Sequence, residues 1–455
     1  MQIRERLSAL DDAFLHIEGP NTPMHVGALA FFDGPAPEFA AVTDMVSRRL
    51  GSSPRWRQRL AFVPWGLARP VWIDDDAFEP AHHVLHATAD EPGDPASLER
   101  LAATLLSQRL DRGRPLWELW FVDGLEGGGF ALVSKFHHAM VDGISGVNLG
   151  AMLLSSAPEP RGADPRSPAP PPTRDELIGD ALEQTLAGSV QMLRRLQVAA
   201  LDAGAVEERV SGATRAAIEF LASSFNAPPS PLNRAVGPGR CIETVRVQLD
   251  DVRAVKDRFG TTINDVVLAA AAGGVRNLLQ ARGESVDDLD LRVLVPMSLR
   301  TSDVATPGNR VAALWAALPA SEDDPVRRLR AAAAEMRRLK ASDQPAGARL
   351  LTSLGDYLPP ALLAPATKLL GHQRAFNLAV TNVPGSGRAL SCLGRRMSAV
   401  YPFIPLAPNT ALSIAVLSYG GVLGFGLLGD RDASSDLRLV AEGLDKAVAE
   451  LRAAV

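Results

Sequence analysis

The most reactive pattern in this chain is His137-His138-Ala139-Met140-Val141-Asp142-Gly143. A neutral imidazole is the side chain best matched to taking a proton from an alcohol near neutral pH, so a histidine at a strand end fits a general base for acyl transfer. The apolar run Phe130 to His138 predicts a strand with alternating side chains. Phe130, Leu132, Ser134, Phe136 and His138 then share one face, and Ala131, Val133, Lys135 and His137 the other. Two adjacent histidines cannot share one job. His138, on the more apolar face and nearest the turn, is expected to enter a substrate cavity, with His137 supporting it from behind. Asp142 reads as a structural acceptor that fixes the turn, and Gly143 as a residue able to adopt a backbone conformation that others resist. A zinc site fits poorly, because neighbours on a strand diverge and the two-turn helical spacing of a zinc protease motif is absent. A satisfied core histidine is the ordinary fate of a lone His, but a doublet at fixed spacing from Asp-Gly is a much rarer pattern.

These residues need elements to hold them. Ser8 is placed to cap a helix over Leu10 to Ile17, with Asp11 three residues on at the capping-box position. After the turn Gly19-Pro20-Asn21, Met24 to Phe32 reads as a strand. Helices are predicted over Glu38 to Leu50 and Ser97 to Leu110. Leu119 to Val122 and Phe130 to His138, joined by a glycine-rich turn, predict a hairpin. Helix and strand alternate without a strict βαβ rhythm, which predicts an α/β fold with mixed sheets. Seven prolines between Pro158 and Pro172 mark a linker. Asp175 to Phe225 is nearly free of glycine and proline, with Leu182, Leu186, Val190, Leu193 and Leu196 at helical spacing. It predicts one or two long bridging helices that pack on the domains, with contact to a membrane surface as the alternative. The expected division is 1–157, a linker and bridging segment 158–235, and 236–455.

Composition narrows the field. At 455 residues the chain suits two domains. Net charge −5 supplies no global positive field for nucleic acid or anionic lipid, so nucleic-acid binding is not expected. Two cysteines, Cys241 and Cys392, cannot build a disulfide framework and fit a reducing cytoplasm. The N-terminus is charged where a signal peptide would be apolar. The uncharged stretch between Arg396 and Asp430 is broken by Pro402, Pro405, Pro408 and Gly420-Gly421. It is expected to form two buried strands, Ala411 to Ser418 and Val422 to Leu428, in place of a transmembrane helix.

His-His-x-x-x-Asp-Gly resembles the signature of the CoA-dependent acyltransferase superfamily. Further blocks are similar to its bacterial wax ester synthase/diacylglycerol acyltransferase branch: Leu7 to Asp11, Pro23 to Gly27, Pro115-Leu116-Trp117, Asn264-Asp265, Val295 to Arg300, Thr381 to Gly385, and Asp430 to Asp432. They stand in the family's order. One departure is Ala407-Pro408-Asn409-Thr410, where a glycine-containing turn on the acceptor side is expected, and it bears on acceptor preference.

The resemblance implies two chloramphenicol-acetyltransferase-like domains with an active-site channel between them. It implies transfer of a long-chain acyl group from acyl-CoA to a fatty alcohol or diacylglycerol, with acyl-CoA as co-substrate, no resident cofactor and no metal. His138 would act as base, and Asn264 would sit near it, donating to the thioester oxygen or orienting a donor, with Asp265 holding the helix start. A plain helix cap is the alternative for Asn264. Pro115, Leu116 and Trp117 would line or support the cavity, although Trp117 also reads as core. No nucleophile elbow is present, so direct attack is expected. The competing functions are a condensation-type catalyst using carrier-protein thioesters and a catalytically weak lipid-droplet protein. The expected location is cytoplasmic, with peripheral contact to the inner membrane face or lipid inclusions.

Overall fold

The structure is a computed structural model that describes residues 4–141, 150, 153–154, 169–183, 227–287, 289–298, 311–342, 344, 347 and 375–455. Asp142, Gly143 and most of the expected bridging helix lie outside the described residues.

Two six-stranded mixed sheets organise the chain. The strands are β1 (His25–Phe32), β2 (Gln58–Ala61), β3 (Val71–Asp74), β4 (Val84–Thr88), β5 (Trp117–Asp123), β6 (Phe130–His137), β7 (Arg240–Gln248), β8 (Leu291–Ser298), β9 (Val311–Leu318), β10 (Leu378–Val383), β11 (Ser391–Cys392), β12 (Arg395–Phe403), β13 (Leu412–Tyr419) and β14 (Val422–Asp430). The first sheet runs β11-β12-β1-β6-β5-β4, and the second β7-β14-β13-β10-β8-β9. Antiparallel pairs dominate, but β4 with β5 and β10 with both β13 and β8 are parallel. The mixed character expected from the element order is therefore present in both sheets.

Local patterning explains most elements. Helix α1 (Ala9–Ile17) begins where Ser8 Oγ accepts the Asp11 amide at 3.1 Å and donates to Asp11 Oδ2 at 2.7 Å. Helices α2 (Phe39–Arg49) and α3 (Pro95–Ser107) cover opposite faces of the first sheet. Phe130, Leu132 and Phe136 pack on the side of Val42 and Val46, and Ala131 and Val133 on the side of Leu98 and Ala102. The predicted alternation along β6 thus holds. In the second half, α4 (Leu249–Phe259), α5 (Ile263–Ala281), α6 (Pro325–Ala341) and α7 (Arg438–Ala453) join the second sheet in one apolar core.

Strand β12 does not stay with its own half. Although it follows position 236, it pairs antiparallel with β1, Leu29 opposite Tyr401, and so completes the first sheet. It also crosses β14 of the second sheet at backbone distance. A Cβ at Gly426 would lie 1.9 Å from the Pro402 carbonyl oxygen, and one at Gly424 2.2 Å from that of Val400. Only glycine permits that approach. The two sheets are therefore tied by a shared strand as well as by α3, which packs on β7 through Thr244 Oγ1 donating to Glu99 Oε1 at 2.7 Å.

Candidate active site

The hairpin β5–β6 ends at the histidine doublet. The His137 amide donates to the Leu116 carbonyl at 3.0 Å, so the Pro115-Leu116-Trp117 block holds the end of β6 through its backbone. Trp117 itself is core: its Nε1 donates to the Trp56 carbonyl at 2.8 Å, and its ring stacks on His83 at 4.7 Å. Of the two readings of Trp117, core is the one its buried ring fits.

His137 is fully buried. Its Nδ1 accepts the Ala139 amide at 3.0 Å and its carbonyl accepts the Met140 amide at 2.8 Å. In the neutral ring the proton is therefore on Nε2, which faces Glu18 Oε1 at 3.6 Å. His137 thus folds the turn that follows it.

His138 is the first residue past β6. Its amide donates to the Met24 carbonyl at 2.8 Å, its ring stacks on Phe14 at 3.9 Å and 16°, and the side chain is half-buried. Two elements, the turn into β1 and helix α1, therefore fix its backbone and its ring plane.

Sequence reasoning missed the group that organises this corner. Glu18, whose side chain is 1% exposed, follows α1 and precedes the Gly19–Thr22 turn that reverses the chain into β1. Its Oε1 accepts the Met24 amide at 3.1 Å, and Oε2 accepts Arg112 Nε at 2.8 Å. Burial on its own would raise the Glu18 pKa. The His137 ring beside it, the Met24 amide and Arg112 outweigh it, and hold the carboxyl down at about 2. One carboxylate thus secures both Met24, whose carbonyl holds His138, and His137. A further buried histidine, His25, lies opposite His137 in the β1–β6 register, with Nε2 2.9 Å from the Leu106 carbonyl oxygen. Burial, then the nearby Lys135 and His137, push its pKa down to about 3. Lys135 is itself buried and pairs with Glu118 at 2.9 Å. The turn at Gly19 and the block around His25 are visible in the sequence. Arg112, 94 residues from Glu18, carries no local mark.

Asn264 and Asp265 sit on another element. Thr262 caps α5, and a full capping box forms with Asp265, whose Oδ2 accepts the Thr262 amide at 2.8 Å. Asp265 therefore holds the helix start, as expected, and the cap role proposed for Asn264 belongs to Thr262. Asn264 is the second residue of the helix, half-buried and outside the box. Backbone hydrogen bonds hold His137, His138, Leu116 and Trp117 about the end of β6, while Asn264 and Asp265 start a helix of the second core. Among the described residues, no group of three or more His, Cys, Asp or Glu could hold a metal ion. The block Asp430 to Asp432 is structural: Asp430 accepts the amides of Gly237, Asp432 and Ala433. Gly385 of the Thr381 to Gly385 block is required because a Cβ there would lie 1.8 Å from the Ser418 carbonyl oxygen. At the departure noted after Leu406, the Pro408 and Asn409 carbonyls accept the Val236 amide and Asn233 Nδ2.

Comparison with known proteins agrees with this arrangement. The family model of the wax ester synthase/diacylglycerol acyltransferase catalytic domain matches residues 7–267, and that of the family's C-terminal domain matches 307–452. The chain is 35% identical over 98% of its length to a Mycobacterium tuberculosis protein named a probable diacylglycerol O-acyltransferase (tgs1), covering 95% of that protein. Its fold is similar to a wax ester synthase/diacylglycerol acyltransferase from Marinobacter aquaeolei VT8, with TM-score 0.69, 24% identity and 99% of each chain covered. It is also similar in fold to the first condensation domain of the CDA synthetase, with TM-score 0.61, 17% identity, and 99% and 97% covered. The chain belongs to the wax ester synthase/diacylglycerol acyltransferase family and is an acyltransferase.

Proposed function

We propose that this enzyme moves a long-chain fatty acyl group from acyl-CoA to diacylglycerol or a fatty alcohol, giving triacylglycerol or wax ester, with His138 as general base. The observation that carries the reading is the seat of His138: a ring clamped against Phe14 and a backbone tied to Met24, whose own amide is held by the Glu18 carboxylate. An imidazole so fixed is suited to meet an incoming hydroxyl in one orientation.

In this reading the acceptor oxygen attacks the thioester carbonyl while its proton passes to His138 Nε2. The carbon–sulfur bond then breaks, and the departing CoA thiolate takes that proton back. General-base help of this kind is worth about 10²- to 10⁴-fold. Negative charge on the thioester oxygen needs a donor, for which Asn264 is the candidate, acting across a channel between the two halves. Asp142 and Gly143 would fix the turn behind His138. Acyl-CoA is the co-substrate, and neither resident cofactor nor metal is invoked. The name of the mycobacterial relative supports diacylglycerol as the first acceptor to test. No helix among the described residues is long and apolar enough to cross a membrane, so both lipids would be met from one side of a membrane or lipid inclusion. The test is incubation of purified protein with labelled palmitoyl-CoA and, separately, diacylglycerol, hexadecanol or no acceptor. Labelled ester with an acceptor supports the proposal. Free fatty acid alone, whatever the acceptor, contradicts it.

A further inference from the structure

Among the described residues the strongly exposed large apolar side chains are Phe62, Trp65, Leu67, Leu182 and Val455. Three of these lie within six residues, on the connection between β2 and β3. Trp65, at its tip, is 74% exposed.

This turn is built, not loose. Ala61 pairs with Val71 at the end of the hairpin, and the amides of Leu7 and Trp72 donate to the Pro70 and Glu5 carbonyls at 3.0 and 2.8 Å. Below it, Ala61, Val71 and Ile73 pack with Leu177 of the helix at 174–183, which also carries Leu182. The amides of Gly66 and Leu67 close the turn on the Val63 and Pro64 carbonyls. Trp65 holds φ 56°, in the left-handed region that favours glycine. A strained backbone here holds a large indole outward, where it gains no burial in the folded chain.

Arg55 pairs with Glu5, and Arg59 with Asp75 and Asp76, at the base of the hairpin, whereas from Leu60 to Ile73 the sequence has one charge, Arg69. The Arg174 guanidinium lies 4.7 Å from the centre of the Trp65 ring. Of the carboxylates on the neighbouring helix, Glu176 and Asp180 face Arg4, leaving Asp175 and Glu183 at the surface. Indole and arginine at the edge of an apolar tip match the headgroup region of a lipid layer, where amphipathic rings settle and guanidinium meets phosphate.

We propose that the turn from Phe62 to Leu67 is a docking knob for a phospholipid surface that carries anionic headgroups. Phe62, Trp65 and Leu67 enter the apolar boundary, and Arg69 and Arg174 lie at the phosphates. This deepens the lipid-acceptor reading, because a knob of this kind holds the enzyme where its acceptor is dissolved. The docking does not depend on turnover, so the two can fail separately.

The test is flotation of the full chain with phosphatidylcholine vesicles, with and without phosphatidylglycerol. Native protein is expected to float, more strongly with phosphatidylglycerol. Trp65→Gly is the informative variant: it removes the indole and relieves the left-handed strain, so its Tm should rise while its vesicle binding falls by on the order of tenfold. Phe62→Ser with Leu67→Ser should lower binding similarly and leave transfer between short, water-soluble substrates unchanged. Flotation of Trp65→Gly equal to native would overturn the proposal. So would a change in the protein's mass in solution with unaltered flotation, since the turn would then meet a second copy of the chain. If native protein floats and both variants do not, but no acceptor is acylated, the knob stands and the proposed reaction falls.

Discussion

Two regions of this molecule, the end of β6 and the start of α5, treat buried polarity in opposite ways. At the end of β6, Glu18, His25, Lys135 and His137 are all withdrawn from water within a few residues of His138. Helix α5, which carries Asn264, instead buries an unbroken run from Val266 to Val275 rich in alanine and valine, with its polar residues only before and after that run. Burying charge is costly unless every group is partnered. The partnered polar groups at the end of β6 support the proposal that this corner holds a side chain in one orientation.

The sharpest way to break this comparison is at His138. His138→Ala should lower kcat for ester formation by about 10²- to 10⁴-fold with Tm unchanged. Asn264→Ala should lower kcat by about 10²-fold or more if the second half supplies the oxyanion donor, whereas Thr262→Ala, which removes the cap, should cost about 1 kcal/mol of stability and spare kcat. A drop in stability alone for both would make the α5 start purely structural. Glu18→Gln replaces a buried carboxylate and leaves the partly exposed Arg112 without its anion. The expected loss is about 1–3 kcal/mol in chemical denaturation, accompanied by reduced kcat because the Met24 and His137 supports of His138 loosen together.

Smaller effects come from pH. With its folded pKa near 3, His25 sheds a proton on folding, so the stability it contributes is complete above about 6.5 and is lost as pH falls from there toward 3. His25→Gln should flatten that slope, whose upper limit is about 1.4 kcal/mol per pH unit. Glu99, at the contact between α3 and β7, behaves oppositely. Burial and, more weakly, Glu243 and Asp94 push its pKa up to about 7 against the Thr244 hydrogen bond. Its stability contribution is complete below about 4.5 and is lost as pH rises from 4.5 to 7. Glu99→Gln should therefore be more stable than the native protein above pH 7 and equal to it near pH 4, as denaturant titrations at the two pH values would show.

What the sequence makes legible is local. Ser8 with Asp11, the hairpin of Leu119 to Val122 with Phe130 to His138, and the strand pair around Gly420-Gly421 follow from caps, period-two alternation and turn residues. The structure has them within a few residues of their expected ends. The separate seats of His137 and His138 are legible for the same reason. Glu18 with Arg112 is not, because a carboxylate after a helix and an arginine in a later loop look like ordinary surface charges until the fold joins them. Strand β12 in the first sheet is equally hidden: its alternation says strand, and nothing within it says which sheet. Gly424 and Gly426 hint at a close approach, but to a partner that only the three-dimensional arrangement identifies.

The central claim, that one imidazole takes the acceptor's proton, is tested most directly by His138→Gly assayed for labelled ester at increasing concentrations of free imidazole. The account predicts a nearly inactive protein whose rate recovers in proportion to added imidazole base. Wild-type ester formation by the folded variant without imidazole would contradict it.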